Sequence, residues 1–319
     1  MSSDAKRNNT PLNSLETLSI NSPDDVINLL RTENYICERG LATALLLSLR
    51  LRRPLFLEGE PGIGKTELAK VVANSLNRDF LRLQCYEGLD IATSVYEWNY
   101  PRQMAAIRLS ESTLEPDQHL IDGVFSKDFL IKRPLLKALE HSDKGAPVLL
   151  VDELDRADAP FEAYLLELMS DFEVTVPEIG TFRTDEPPII IVTSNRTREV
   201  HDALRRRCIY HWIDYPTEHQ ELEILQARIP DIPERVSREL VAFIQILRQQ
   251  DLFKAPGIAE TLDFASALVE LDETELNSAT LKDMLGTLVK YRDDLTKIQK
   301  GDLDTWVEDA RRLSIAKEL

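Results

Sequence analysis

The chain is poor in cysteine and glycine, and it has no apolar run long enough to cross a bilayer. Its three cysteines, Cys37, Cys85 and Cys208, lie far apart without metal-ligand spacing, so a disulfide scaffold or a zinc site is not expected, and free thiols in a reducing cytoplasm are. The longest apolar stretch, around Ala42 to Leu49, is too short for a spanning helix and is flanked by arginines. No stable membrane insertion is expected. Met1 to Asn21 is polar and lacks the apolar centre of a signal peptide, which predicts a disordered tail over residues 1–22. Basic charge is scarce as well: 38 Lys and Arg face 55 Asp and Glu, for a net charge of −17. That balance argues against a broad surface tracking a nucleic-acid backbone, and no nucleic-acid partner is expected.

With only 11 glycines in 319 residues, their placement is informative. Three fall in Gly59-Glu60-Pro61-Gly62-Ile63-Gly64-Lys65-Thr66, a complete phosphate-binding loop that continues into Glu67. Such glycines let main-chain N–H groups approach phosphate oxygens, and the following helix presents its positive end. Lys65 is placed to reach the β- and γ-phosphates, and the Thr66 hydroxyl to ligate Mg2+. Around the loop, Pro54 to Leu57 reads as a buried strand and Thr66 to Leu76 as a helix.

Further apolar runs follow, at Phe80 to Cys85, Pro147 to Val151 and Pro188 to Thr193, separated by helical stretches. The pattern predicts an α/β fold with a parallel sheet covered on both faces. Ser22 reads as the cap of a first helix, and a second covers about Glu38 to Leu51. Beyond Tyr215 the strands stop: Glu218 to Ala227, Glu234 to Gln250, Ile258 to Leu271 and Ala279 to Thr296 read as helices. The expected division is therefore an α/β core over 23–214 and a smaller all-α domain over 215–319.

The run 148–151 ends in Asp152 and Glu153, and parallel strands gather ligands at their carboxyl ends. Asp152 would join the metal shell and Glu153 would orient the attacking water. The pattern alone fits solvated loop acids equally well, and the upstream phosphate loop selects the chemical reading. Asn195, after another buried run, is the candidate sensor of the γ-phosphate or the water, since an amide both donates and accepts. Taken alone, Thr193-Ser194-Asn195 after a strand is more often a turn or an N-cap, and the other two motifs select the sensor reading. Arg205, Arg206 and Arg207 precede a last strand-like stretch, Ile209 to Trp212; one guanidinium could act in trans on a neighbour's nucleotide, or the cluster could be a solvated helix end.

In this order, these motifs resemble an AAA+ ATPase. Within it, VDELDRAD (151–158), FEAYLLELMSDFEVTVPEIG (161–180) and TSNRTREVHDALRRRC (193–208) are similar to the MoxR group, and QCYEGLDIATSVYEWNYPRQ (84–103) and 198–216 to its CoxD-type members. The resemblance implies ATP and Mg2+ as ligands and a hexameric ring with sites between subunits. It also implies a von Willebrand factor A-domain partner and a client metalloenzyme, a molybdenum hydroxylase such as carbon monoxide dehydrogenase. By the same resemblance Lys65 and Thr66 are Walker A, Asp152 and Glu153 Walker B, and Asn195 sensor 1. Arg207 best fits the arginine finger, with Arg206 next. The arginine of sensor 2 is missing from Pro256-Gly257-Ile258-Ala259-Glu260. Glu173 to Phe182 reads as a hairpin turning at Pro177-Glu178 and facing a pore; Tyr86, Tyr96, Trp98 and Tyr100 read either as pore residues or as core. Two other functions fit a nucleotide-binding core: a nucleic-acid motor, and a scaffold gated by ATP with negligible turnover.

Overall fold

The computed structural model describes residues 20–111 and 123–316. The predicted tail, apart from residues 20–22, lies outside them. Chain contacts gather into two compact units. One holds Arg39–Leu57 and Ala69–His211 with the stretch up to Val26; the other holds Ile27–Glu38, Glu58–Leu68 and Trp212–Leu319.

Nine strands occur among the described residues: β1 Leu55–Gly59, β2 Phe80–Gln84, β3 Tyr96–Trp98, β4 Leu130–Lys132, β5 Val148–Asp152, β6 Glu173–Val176, β7 Gly180–Arg183, β8 Ile189–Ser194 and β9 Ile209–Ile213. Five of them form one sheet in the order β2-β5-β8-β1-β9. β5 runs parallel to both β2 and β8, with Leu149 opposite Leu81 on one side and Ile190 on the other. Every residue of β1 and β5 is buried, as expected for strands covered on both faces. Phe56, Leu149, Val151, Ile190 and Val192 pack with Phe161 and Leu165 of the helix Ala159–Asp171. This is the α/β fold predicted.

The segment after β9 is helical, with its own core of Leu240, Phe243, Phe264, Leu268, Leu281 and Leu285. Two readings of this region need correction. The single helix predicted over 279–296 is two, Ser278–Leu288 and Arg292–Lys300. Val289 turns to extended backbone at φ −126° and is itself buried. Lys290 Nζ then closes the first helix by donating to the carbonyls of Gly286 and Thr287, a common role for a basic side chain at a helix end. A further helix, Leu303–Ala316, went unpredicted although Asp302 marks its start by accepting the Thr305 N–H at 3.1 Å.

Smaller features follow the sequence closely. Ser22 Oγ accepts the Asp25 N–H at 3.2 Å at the head of helix Pro23–Arg31. Donors from Asn21 and Ser22 in turn hold the Asp25 carboxyl below its ordinary range. β6 and β7 form the predicted hairpin, pairing Val176 with Gly180, with Glu178 at φ 67° in the turn. Of the four aromatics, Tyr96 and Trp98 pack against the core, whereas Tyr86 and Tyr100 are exposed. All three cysteines are free, and burial pushes the thiols of Cys37, Cys85 and Cys208 up, to about 11, about 12 and about 12.

Candidate active site

The phosphate loop joins β1 to the helix Lys65–Ser75. Gly62 and Gly64 sit at φ +81° and +92°, conformations that a side chain disfavours. Lys65 is buried and donates to the carbonyls of Gly59 and Glu60 at 2.7 and 2.6 Å. Its ammonium is thereby stored against its own loop. Tyr35 Oη lies 3.5 Å from the Gly64 carbonyl, and Ile63 is buried beneath the turn. The side chain of Glu67, included among the candidate nucleotide contacts, pairs with Arg228 at 3.0 Å. Thr66 lies in the first turn of the helix, where the positive dipole end favours an anion.

The same compact unit brings Gly257 to Glu260 against this loop. Ala259 N–H donates to the Gly62 carbonyl at 3.0 Å, and a Cβ on Gly62 would meet Glu260 Oε2 at 2.8 Å. The stretch without a sensor 2 arginine therefore touches the phosphate loop with main chain and a carboxylate. Lys254 pairs with that carboxylate at 3.7 Å.

In the other unit, β5 delivers Asp152 and Glu153 at its carboxyl end. Glu153 adopts the left-handed conformation, φ 55°, uncommon for a residue with a side chain. Its N–H donates to Thr193 Oγ1 at 2.9 Å, and that hydroxyl donates to Asp152 Oδ1 at 2.6 Å. The Glu153 carboxylate collects three donors: Asn195 Nδ2 at 3.1 Å on Oε1, and Gln84 Nε2 and Arg156 Nε, each at 3.0 Å, on Oε2. Asp152, only 2 % exposed, accepts from Arg82 on its other oxygen. The structure thus brings together Asp152, Glu153 and Asn195, as the sequence predicted.

Two buried carboxylates fix the loop that carries Asn195. Asp155 accepts the N–H groups of Asn195 and Thr197 at 3.1 and 2.9 Å and the Thr197 hydroxyl at 2.6 Å. Glu162 accepts the His201 N–H at 2.7 Å and pairs with Arg198. Neither was singled out from the sequence, because their role depends on contacts some 40 residues away. Arg82 and Gln84 were also missed. Their signal was two polar residues at alternate positions of a strand, hence on one face.

The three arginines differ. Arg205 lies over the ring of Tyr210 at 5.0 Å. Arg207, the first choice for a finger, donates to Leu166 O at 2.9 Å and to Ser170 Oγ at 2.5 Å. Arg206 is 78 % exposed and paired with Asp202 in its own helical turn.

Each unit by itself carries groups suited to a nucleotide with its cation: in one, a loop with glycines in the left-handed region, an ammonium held at the loop carbonyls and a hydroxyl at a helix start; in the other, a buried carboxylate at a strand end. Residues 55–213 match the family model described as ATPase family associated with various cellular activities (AAA). The chain is 25% identical over 258 residues to the gas vesicle ATPase GvpN of Haloferax mediterranei, covering 77% of this chain and 72% of that protein. It is 26% identical over 190 residues to Lon protease 1 of Bacillus subtilis, covering 56% of this chain and 21% of that protein. Among solved structures, a variant of RuvB from Thermotoga maritima aligns with a TM-score of 0.45 at 18% identity, covering 86% of this chain and 74% of that one. Residues 55–213 of this chain are an AAA ATPase domain, and the protein is an ATPase.

Proposed function

We propose that this ATPase is a MoxR-type chaperone that uses ATP hydrolysis to remodel a client protein. The observation that carries hydrolysis, rather than nucleotide binding alone, is the hydrogen bond from Asn195 Nδ2 to Glu153 Oε1. It gives the water-activating carboxylate an amide partner able to report on the γ-phosphate. On this reading the main-chain N–H groups of Gly62 to Lys65 hold phosphate, and Lys65 exchanges the carbonyls of Gly59 and Glu60 for phosphate oxygens. Thr66 and Asp152 would hold Mg2+, which when bound neutralises charge on the phosphate oxygens. Glu153 and Asn195 orient the attacking water between them. Arg206, exposed and paired with Asp202 of its own helical turn, acts on the nucleotide of a neighbouring subunit in a homo-oligomeric ring.

Mixing two inactive variants tests this arrangement. Arg206→Ala and Glu153→Gln subunits, each inactive alone, should recover turnover when mixed, because a mixed ring contains interfaces intact on both sides. No recovery, or full activity of Arg206→Ala alone, would count against the intersubunit site. Similarity to the gas vesicle ATPase GvpN over most of both chains supports ATP turnover, and the chaperone reading rests on the resemblance of residues 151–158, 161–180 and 193–208 to the MoxR group. A molybdenum-hydroxylase client and a von Willebrand factor A-domain partner rest on the resemblance in residues 84–103 and 198–216. Co-production with carbon monoxide dehydrogenase subunits tests the client. Metal content of the enzyme should fall when Glu153→Gln replaces the wild type, and equal content would remove that client.

A further inference from the structure

On the sheet face that carries Asp152, β2 presents Arg82 and Gln84 at alternate positions. Arg82 Nε and Nη2 both donate to Asp152 Oδ2, at 3.0 and 2.5 Å. With Thr193 on Oδ1, each oxygen of the Asp152 carboxylate is engaged by a protein donor. The two partners differ in freedom. Asp152 is 2 % exposed and fixed at the end of a buried strand, whereas the Arg82 side chain is 47 % exposed. Its further contact is with the side chain of Gln84, two residues away on its own strand. The guanidinium can swing into water, and the carboxylate has nowhere to go. A cation approaching Oδ2 meets a positive group already there, and like charges at one oxygen exclude each other.

We propose that Arg82 is a built-in competitor for the metal side of Asp152: its guanidinium covers Oδ2 in the metal-free site and is displaced when a divalent cation loads with nucleotide. This rests on the reading that Asp152 faces the metal. The consequence is a site that demands more metal to engage than Asp152 alone would. A half-exposed ion pair is a modest obstacle, so the expected effect is about three- to fivefold.

The test is equilibrium binding of a fluorescent ATPγS analogue in EDTA and at graded free Mg2+. The ratio of the metal-free Kd to the Kd at saturating Mg2+ measures metal coupling, and chelation by nucleotide in solution is common to all variants. Arg82→Gln should raise the coupling about three- to fivefold while the Kd in EDTA stays within about twofold. Arg82→Lys keeps a charge without the two-pronged contact and should fall between. Asp152→Asn, which keeps the Thr193 bond, should lower the coupling. If Asp152→Asn lowers it but Arg82→Gln leaves it unchanged or lowers it, the Arg82 proposal is overturned and the reading of Asp152 stands. A large loss of affinity in EDTA for Arg82→Gln would make Arg82 a phosphate ligand instead, also overturning it. If Asp152→Asn has no effect, the reading of Asp152 falls, and the proposal with it.

Discussion

The main-chain N–H of Ala259 donates to the carbonyl of Gly62 at 3.0 Å, tying the first turn of helix Ile258–Glu270 to the phosphate loop. No side chain makes this bond, so no residue type in the sequence announced it. Two glycines permit it. At Gly257 the backbone is ordinary, φ −86° and ψ −178°, but a Cβ there would meet Glu260 Oε2 at 2.9 Å, Gly62 O at 3.0 Å and Pro61 O at 3.1 Å.

Gly257→Ala should therefore loosen the tie by crowding rather than by backbone strain, at a cost of about 1–2 kcal/mol. Hydrogen exchange at the Ala259 amide should accelerate about five- to thirtyfold, and nucleotide affinity should fall. Unchanged exchange at Ala259 would show that the contact does not hold this helix to the loop.

Asp155 offers a second test. Its buried carboxylate accepts two N–H groups and one hydroxyl from the loop that bears Asn195. Asp155→Ala leaves those donors without partners and should destabilise the domain by about 2–4 kcal/mol. It should also depress turnover through Asn195 without a matching loss of nucleotide affinity. Urea denaturation and steady-state kinetics read the two effects separately, and a stable, fully active variant would remove the anchoring role.

The helical unit carries a buried ion pair that makes a third. Glu221 is fully buried and accepts Arg248 Nη1 and Nη2 at 2.7 and 2.8 Å, with Gln245 Nε2 at 3.0 Å and Thr261 Oγ1 at 2.8 Å. Arg248→Met strands a carboxylate in the core and should cost about 3–5 kcal/mol. Adding Glu221→Leu should restore much of that loss, because the expensive state is the unpaired charge. If denaturant midpoints show the two losses simply adding, the pair is not coupled.

The fold was legible because its strands are short runs of Val, Ile and Leu, and period-based reading needs nothing more. Asp152, Glu153 and Asn195 were legible because each closes such a run. Legibility failed where a role is assigned by distant contact. Asp155 and Glu162 look like surface acids of a helical stretch until the Asn195 loop folds over them, and Arg82 looks like a solvated strand residue until Asp152 is beside it. The helix break at Val289 failed for a different reason: the apolar spacing continues across it, and only burial of Val289 in the helical core reveals the turn. The arginine cluster was visible as a group, but its members were not separable. Their difference lies in the acceptors available: Leu166 O and Ser170 Oγ take up Arg207, and Arg206 stays outward.

The central claim is that Glu153, held by Asn195, activates water in a site that binds ATP without it. Glu153→Gln keeps the shape and an acceptor oxygen while removing the charge. Parallel measurement of ATP affinity and steady-state turnover should show a Kd within about threefold of wild type and a rate lower by about 100-fold or more. Turnover near the wild-type rate in that variant would contradict the account.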